Sequence, residues 1–169
     1  MTTLLFSIML FLTSYTDNSP SEREYHIKDS RYILKYDSTT LYTGWYYVVD
    51  SSNSFKRQLN KSDETYYLDP KPIVKAKNIA TFDIYESNYD GKKYFGLTMR
   101  LDKEGTENWS SATRKAEMTG MRLAFILDNI LLQVAKVNSQ ITGGVTALNR
   151  GIYSRQELEN FKTMIKSER

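Results

Sequence analysis

The chain has 169 residues, enough for one globular domain with a terminal appendage and for a substantial core. Hydrophobic residues make up 40% and charged residues 25%, the balance of a soluble fold, and the net charge of +3 is small and dispersed, which argues against nucleic acid as a partner. There is no cysteine, so disulfides, thiolate catalysis and cysteine-held metals are excluded; thirteen Tyr against eight Gly and three Pro point to an ordered, sheet-rich chain.

Leu4 to Leu12 (LLFSIMLFL) has the length of a signal-peptide apolar core and falls far short of the ~20 residues of a membrane span. The expectation is secretion to the periplasm or envelope, with no transmembrane segment in the mature chain, although the Met-Thr-Thr start lacks the usual basic residue. Leu12-Thr13-Ser14-Tyr15 is similar to a lipoprotein processing site, but Tyr15 stands where the lipid-bearing Cys is required, so lipid anchoring is not supported. Asp17 to Glu24 reads as a polar linker. This divides the chain into a signal-like segment and linker, 1–24, and a single domain, 25–169.

From Tyr25 the composition turns aromatic and β-branched. Tyr32 to Tyr36 and Leu41 to Val49 read as strands. Trp45, Tyr46 and Tyr47 in the second could form an exposed aromatic face for a peptide or sugar; the alternative is that alternate rings face the core and the rest are ordinary edge tyrosines. Ser51 to Thr65 is polar apart from Phe55 and Leu59 and reads as a loop or short helix. Tyr66 to Leu68 is a brief strand stopped by Asp69-Pro70-Lys71-Pro72. Ala80 to Ser87 and Lys92 to Leu101 read as strands around a turn at Asn88 to Gly91, with Phe95, Leu97, Met99 and Leu101 making one apolar face. Asp102 caps a helix running to about Met118, whose buried stripe is Gly105, Trp109, Ala112 and Ala116, and which Gly120 ends.

The stretch from Gly120 to Leu158 is the most closely specified. Arg122 to Leu127 is an apolar strand, and Ile130 to Val137 is a second, interrupted only by Gln133 and Lys136. Asp128 and Asn129 tolerate positive φ and fill a two-residue hairpin turn between them. Leu123, Phe125 and Leu127 share one face while Ala124 and Ile126 occupy the other, so this strand is buried on both sides and central in its sheet. Gln140 to Leu148 reads as a third strand with Gly143 and Gly144 inside it, a pair that marks a bend, bulge or close approach. Ser154 and Glu157 form a capping box, and Leu158, Phe161 and Ile165 give the helix that follows one buried stripe. Strands, helix, three strands and helix in this order predict an α+β fold, a mostly antiparallel sheet with two main helices packed on one face.

In this order and spacing, Leu123 to Asn129, Ile141 to Gly144, Gly151, Tyr153, Ser154, Glu157 and Leu158 resemble the periplasmic P1 head domain of SecD and SecDF protein-export subunits, and the likeness extends less tightly back to about Tyr66. Relatives commonly carry Pro in the strand after the hairpin, where this chain has Ala135. The resemblance implies a role at the outer face of the bacterial inner membrane, in contact with a protein or polypeptide partner that includes the translocation machinery. It also implies that this chain, without the proton-conducting helices of those subunits, cannot itself couple a proton gradient to movement.

Residues that carry chemistry are sparse. His26 is the only histidine and has neither a second His nor a Cys to make a metal site or triad. Ser154 lacks a nucleophile elbow, Asp128 has no assignable partner carboxylate, and the Gly143-Gly144 pair lacks the glycine spacing and Lys of a phosphate loop. Asn60-Lys61-Ser62 and Asn108-Trp109-Ser110 match the glycosylation tripeptide, a pattern common by chance. The expectation is a non-catalytic binding module with no metal or cofactor, touching a protein or polypeptide through a sheet edge or the Gly143-Gly144 segment. The alternative is an envelope small-ligand or sugar-binding module using Trp45, Tyr46 and Tyr47.

Overall fold

The computed structural model describes residues 40–50 and 54–169, all within the unit Tyr36–Arg169; the signal-like segment, the linker, the expected strand at Tyr32 to Tyr36 and His26 lie outside the described residues. The centre of the fold is the predicted hairpin, β7 (Arg122–Leu127) and β8 (Ile130–Lys136). Asp128 and Asn129 take φ of 45° and 64°, the paired left-handed conformation of the hairpin turn whose twist matches the strands. On its other edge β7 pairs with β1 (Gly44–Val49), Trp45 opposite Phe125 and Tyr46 opposite Ala124. The far edge of β1 is shared by β3 (Thr65–Leu68) and β4 (Val74–Lys75), and β2 (Phe55–Gln58) lies outside β3. The sheet therefore runs β2-β3-β1-β7-β8, with β4 beside β1.

Its outer strands converge. Leu59 bridges Leu131 in parallel and the Asn60 amide donates to the Leu131 carbonyl at 2.8 Å, so the sheet curls until its two ends meet. Curling gives β7 two interiors to fill. Ala124 and Ile126 join Leu41, Tyr46, Leu59, Leu68 and Leu131 inside the curl. Leu123, Phe125 and Leu127 join Trp45 and Val74 in the larger core outside it.

A second sheet covers that larger core. β5 (Ile79–Tyr89) and β6 (Lys92–Leu101) form a long hairpin about Asp90 and Gly91, and β9 (Val145–Leu148) pairs with the other edge of β6. α1 (Lys103–Thr119) and α2 (Arg155–Ser167) both bury their stripes here, Trp109 and Ala116 from one, Leu158 and Ile165 from the other. Asp102 caps α1 by accepting from the Gly105 amide at 2.7 Å, Gly120 ends it at φ 73°, and Ser154 with Glu157 forms the predicted capping box on α2.

The class is the expected α+β, with the strands divided between two sheets. Two local expectations change. Ser51 to Thr65 contains a strand, β2, because Phe55 and Arg57 pair across to Leu68 and Tyr66, a choice made by the partner strand and not by local composition. The third strand starts only at Val145 and joins β6 in the second sheet. Gly143 and Gly144 precede it in a bend, where Gly144 sits at φ 62° and a β-carbon would collide with Thr106 of α1, a placement incompatible with a regular ladder.

Candidate functional site

Gln133 is the polar interruption in β8, and it is only 4% exposed. By the two-residue alternation of the strand it stands on the same face as Phe125, toward the larger core. Its Nε2 donates to the Ala147 carbonyl at 2.9 Å and its Oε1 accepts from the Asn149 amide at 2.8 Å. The carboxamide behaves as a stray peptide group. One side chain of the first sheet thereby supplies the rung that a neighbouring strand would offer the outer edge of β9.

Beside Gln133 a cleft of about 400 Å³ opens between β8 and β9. Its deep side is Trp45, Trp109 and Leu123. The two indoles are tilted at 49° with centroids 4.9 Å apart, and Phe125 backs Trp45 at 5.2 Å. The walls are Ala135 and Lys136 on one side and Val145 to Ala147 on the other. The segment 137–141 forms the rim and is fastened to α1: the Gln140 amide donates to Glu117 Oε2 at 3.0 Å, Gln140 Nε2 to Ser110 Oγ at 2.9 Å, and the Ile141 amide to Thr113 Oγ1 at 2.9 Å.

Among the described residues, four buried side-chain polar atoms find no protein partner, and three of them belong to residues lining this cleft: Trp45 Nε1, Trp109 Nε1 and Thr146 Oγ1. Dry and unpaired, each such group costs roughly 1–3 kcal/mol, so the arrangement calls for an incoming hydrogen-bonding group. Lys136 is the single ionisable side chain among the lining residues. The cleft is thus equipped to accept and orient, with no acid-base pair in it. A larger hollow of about 530 Å³ lies by Val48, Tyr66, Met121 and Arg122, where the Tyr66 hydroxyl bonds Glu64 and accepts from Arg122 Nη1 at 3.3 Å.

The residues singled out from the sequence fall in different places. Trp45 and Tyr46 are 1% and 0% exposed, on opposite faces of β1, so they make no surface for a sugar; the exposed aromatic face is corrected to two separate core positions. The Tyr46 hydroxyl donates to the Tyr42 carbonyl at 2.7 Å, and burial pushes its pKa far above the ordinary tyrosine value. Tyr47 is half-buried under Lys115 Nζ, 4.5 Å from its ring centre, and burial raises its hydroxyl too. Gly143 is exposed with open space around it, while Gly144 is buried and its carbonyl accepts from the Leu101 amide at 2.8 Å, which ties the segment to β6. Asp128 serves the hairpin turn, its amide donating to the Thr43 hydroxyl oxygen at 3.0 Å, and Ser154 serves its cap. Among the described residues no three His, Asp or Glu side chains come together as a metal set, and no helix is long and apolar enough to cross a membrane.

Gln133 and Thr146 were not foreseen as site residues. Gln133 announced itself as the lone amide in an apolar run; nothing in the sequence marks Thr146, because its neighbours across the cleft are set by two sheets meeting.

The architecture defines a two-sheet α+β domain whose candidate site is a cleft of fixed donors. The chain belongs to the family described as the SecDF P1 head subdomain, whose model matches residues 51–168. Two solved structures share the fold: a crystal structure of SecDF in its super-membrane-facing form, with a TM-score of 0.54, 16% identity and coverage of 77% of this chain and 19% of that one, and the membrane component SecDF that enhances protein export, with a TM-score of 0.53, 16% identity and coverage of 75% and 63%. The chain therefore spans less than two thirds of either relative. No curated protein sequence matches it.

Proposed function

We propose that this domain acts on the outer side of the bacterial inner membrane as a polypeptide-contacting module in protein export, working by binding and without catalysis. The family match over residues 51–168 carries this reading. The apolar Leu4 to Leu12 segment, read as an export signal, agrees with it, as does a candidate site holding donors in place of acids and bases. Its partner is a polypeptide in transit at the translocation machinery.

The test is photocrosslinking in cells from a probe placed at Asn138 or Ser139, both exposed on the cleft rim. Adducts with secretory polypeptides or a translocon component are expected, and they should increase when export is slowed. Recovery of neither above the level of a probe at Tyr89, on the far hairpin tip, would remove the reading.

A further inference from the structure

The leftover polar groups of the cleft share one requirement. Trp45 Nε1 and Trp109 Nε1 can only donate, and Thr146 Oγ1 can do either. The outer edge of β9 makes a similar demand through its backbone. The Leu101 amide donates to the Gly144 carbonyl, so the alternation of the ladder turns Thr146 and Leu148 toward β6 and leaves the backbone groups of Val145 and Ala147 facing the cleft. Among the described residues only the Ala147 carbonyl and the Asn149 amide are answered, both by Gln133. That carboxamide shows which chemistry fits the edge, since it is a peptide group in all but its place in the chain.

We infer that the cleft seats one short extended segment of a partner polypeptide as a fourth strand beside β9, continuing the row that Gln133 begins. The inference rests on the polypeptide reading and supplies its seat and its mode. A carbonyl of the incoming segment answers the Ala147 amide and its amide meets the Val145 carbonyl, while its remaining carbonyls are the acceptors that the two indole donors and the Thr146 hydroxyl lack. Recognition through main-chain groups is indifferent to side-chain sequence. The lining agrees, with small or apolar walls at Ala135, Val145 and Ala147 and one ionisable group, Lys136, so charge does not select the client.

Trp45 and Trp109 are the only tryptophans in the sequence, so indole signals report on this cleft alone. The full chain, labelled with nitrogen-15, is titrated with an unstructured Ser/Thr/Ala/Val peptide of about ten residues, long enough to span a strand. Both indole N–H resonances and the tryptophan emission are expected to shift saturably. Ala147→Pro removes an amide that faces the cleft and not β6, a substitution that an edge strand tolerates. It should weaken peptide binding about tenfold, the loss of one hydrogen bond, while the melting temperature stays near that of the parent. Thr146→Val, which deletes only a hydroxyl, gives a second variant with a severalfold loss should the proline disturb folding. Unmoved indoles at millimolar peptide, a response that both variants leave intact, or a response to a detergent monomer but not to peptide would each overturn the inference. Envelope crosslinks without an indole response would sink this seat and spare the export reading; an indole response without envelope crosslinks would do the reverse.

Discussion

Glu157 shows how much one side chain does here. It closes the capping box on α2, accepting from the Ser154 amide at 2.8 Å, and it binds Lys61 Nζ at 2.6 Å across a long sequence gap. The Lys61 hydrogen bond first, then those from Ser154, hold its carboxyl at about 2, below the ordinary 4.5. A depressed carboxylate contributes stability that is complete above the unfolded value and is lost as pH falls toward the folded one, so the window is pH 4.5 down to about 2. Its side chain is 36% exposed, and solvent screening keeps the contribution under ~1 kcal/mol. Glu157→Gln should lower the urea midpoint at pH 7, and the gap to the parent should shrink on acidification to pH 3. A gap that widens instead would contradict this account.

The adjacent glycines offer a second residue-scale contrast. Gly144→Ala forces a β-carbon into Thr106 at φ 62° and should cost about 1–3 kcal/mol. Gly143→Ala meets open space and should stay within about 0.5 kcal/mol. Equal effects in urea melts would mean that the bend before β9 is not held as described.

At the scale of elements, Gln133 joins two sheets that share no ladder at that point. Gln133→Leu keeps the volume roughly constant but strands the Ala147 carbonyl and the Asn149 amide, and should destabilise by about 2 kcal/mol or more. Hydrogen exchange at Asn149 should accelerate while the β7–β8 amides stay protected. The same elements show what a sequence reveals. The Asp128-Asn129 turn, the Asp102 cap and the Ser154-Glu157 box were legible because each is decided within a few residues. β2 and the true start of β9 were not, since one is made a strand by Tyr66 and Leu68 and the other is cut short by the packing of Gly144 on α1. The expected departure at Ala135 has a structural counterpart: β8 carries its irregularity at Leu132, where the register with β7 shifts, and a bulge bends a strand without proline. The cleft itself was invisible, because it exists only where a curled sheet and a three-stranded sheet come side by side.

In the whole molecule β7 is the wall between two cores, and that predicts how the domain unfolds. Phe125 cannot leave the larger core without moving Ile126 in the smaller. Tryptophan emission reports the larger core, and a label at Leu59 would report the smaller, so their denaturation curves should superimpose as one two-state transition. Separated midpoints would show that the cores fold independently. Ile126→Ala, a fully buried change on the small-core side, should cost about 2–5 kcal/mol and shift both curves together.

The meeting of Leu59 with Leu131 carries one more consequence. A sheet that closes on itself presents no long open flank on which a neighbouring molecule could template, and the other sheet guards β5 with Asp83 and Glu86 while Arg169 occupies the Ile79 and Ala80 carbonyls. The described residues are thereby shielded from stacking on a second copy when crowded, and among them the flank of β9 is left as the place where another chain can be admitted.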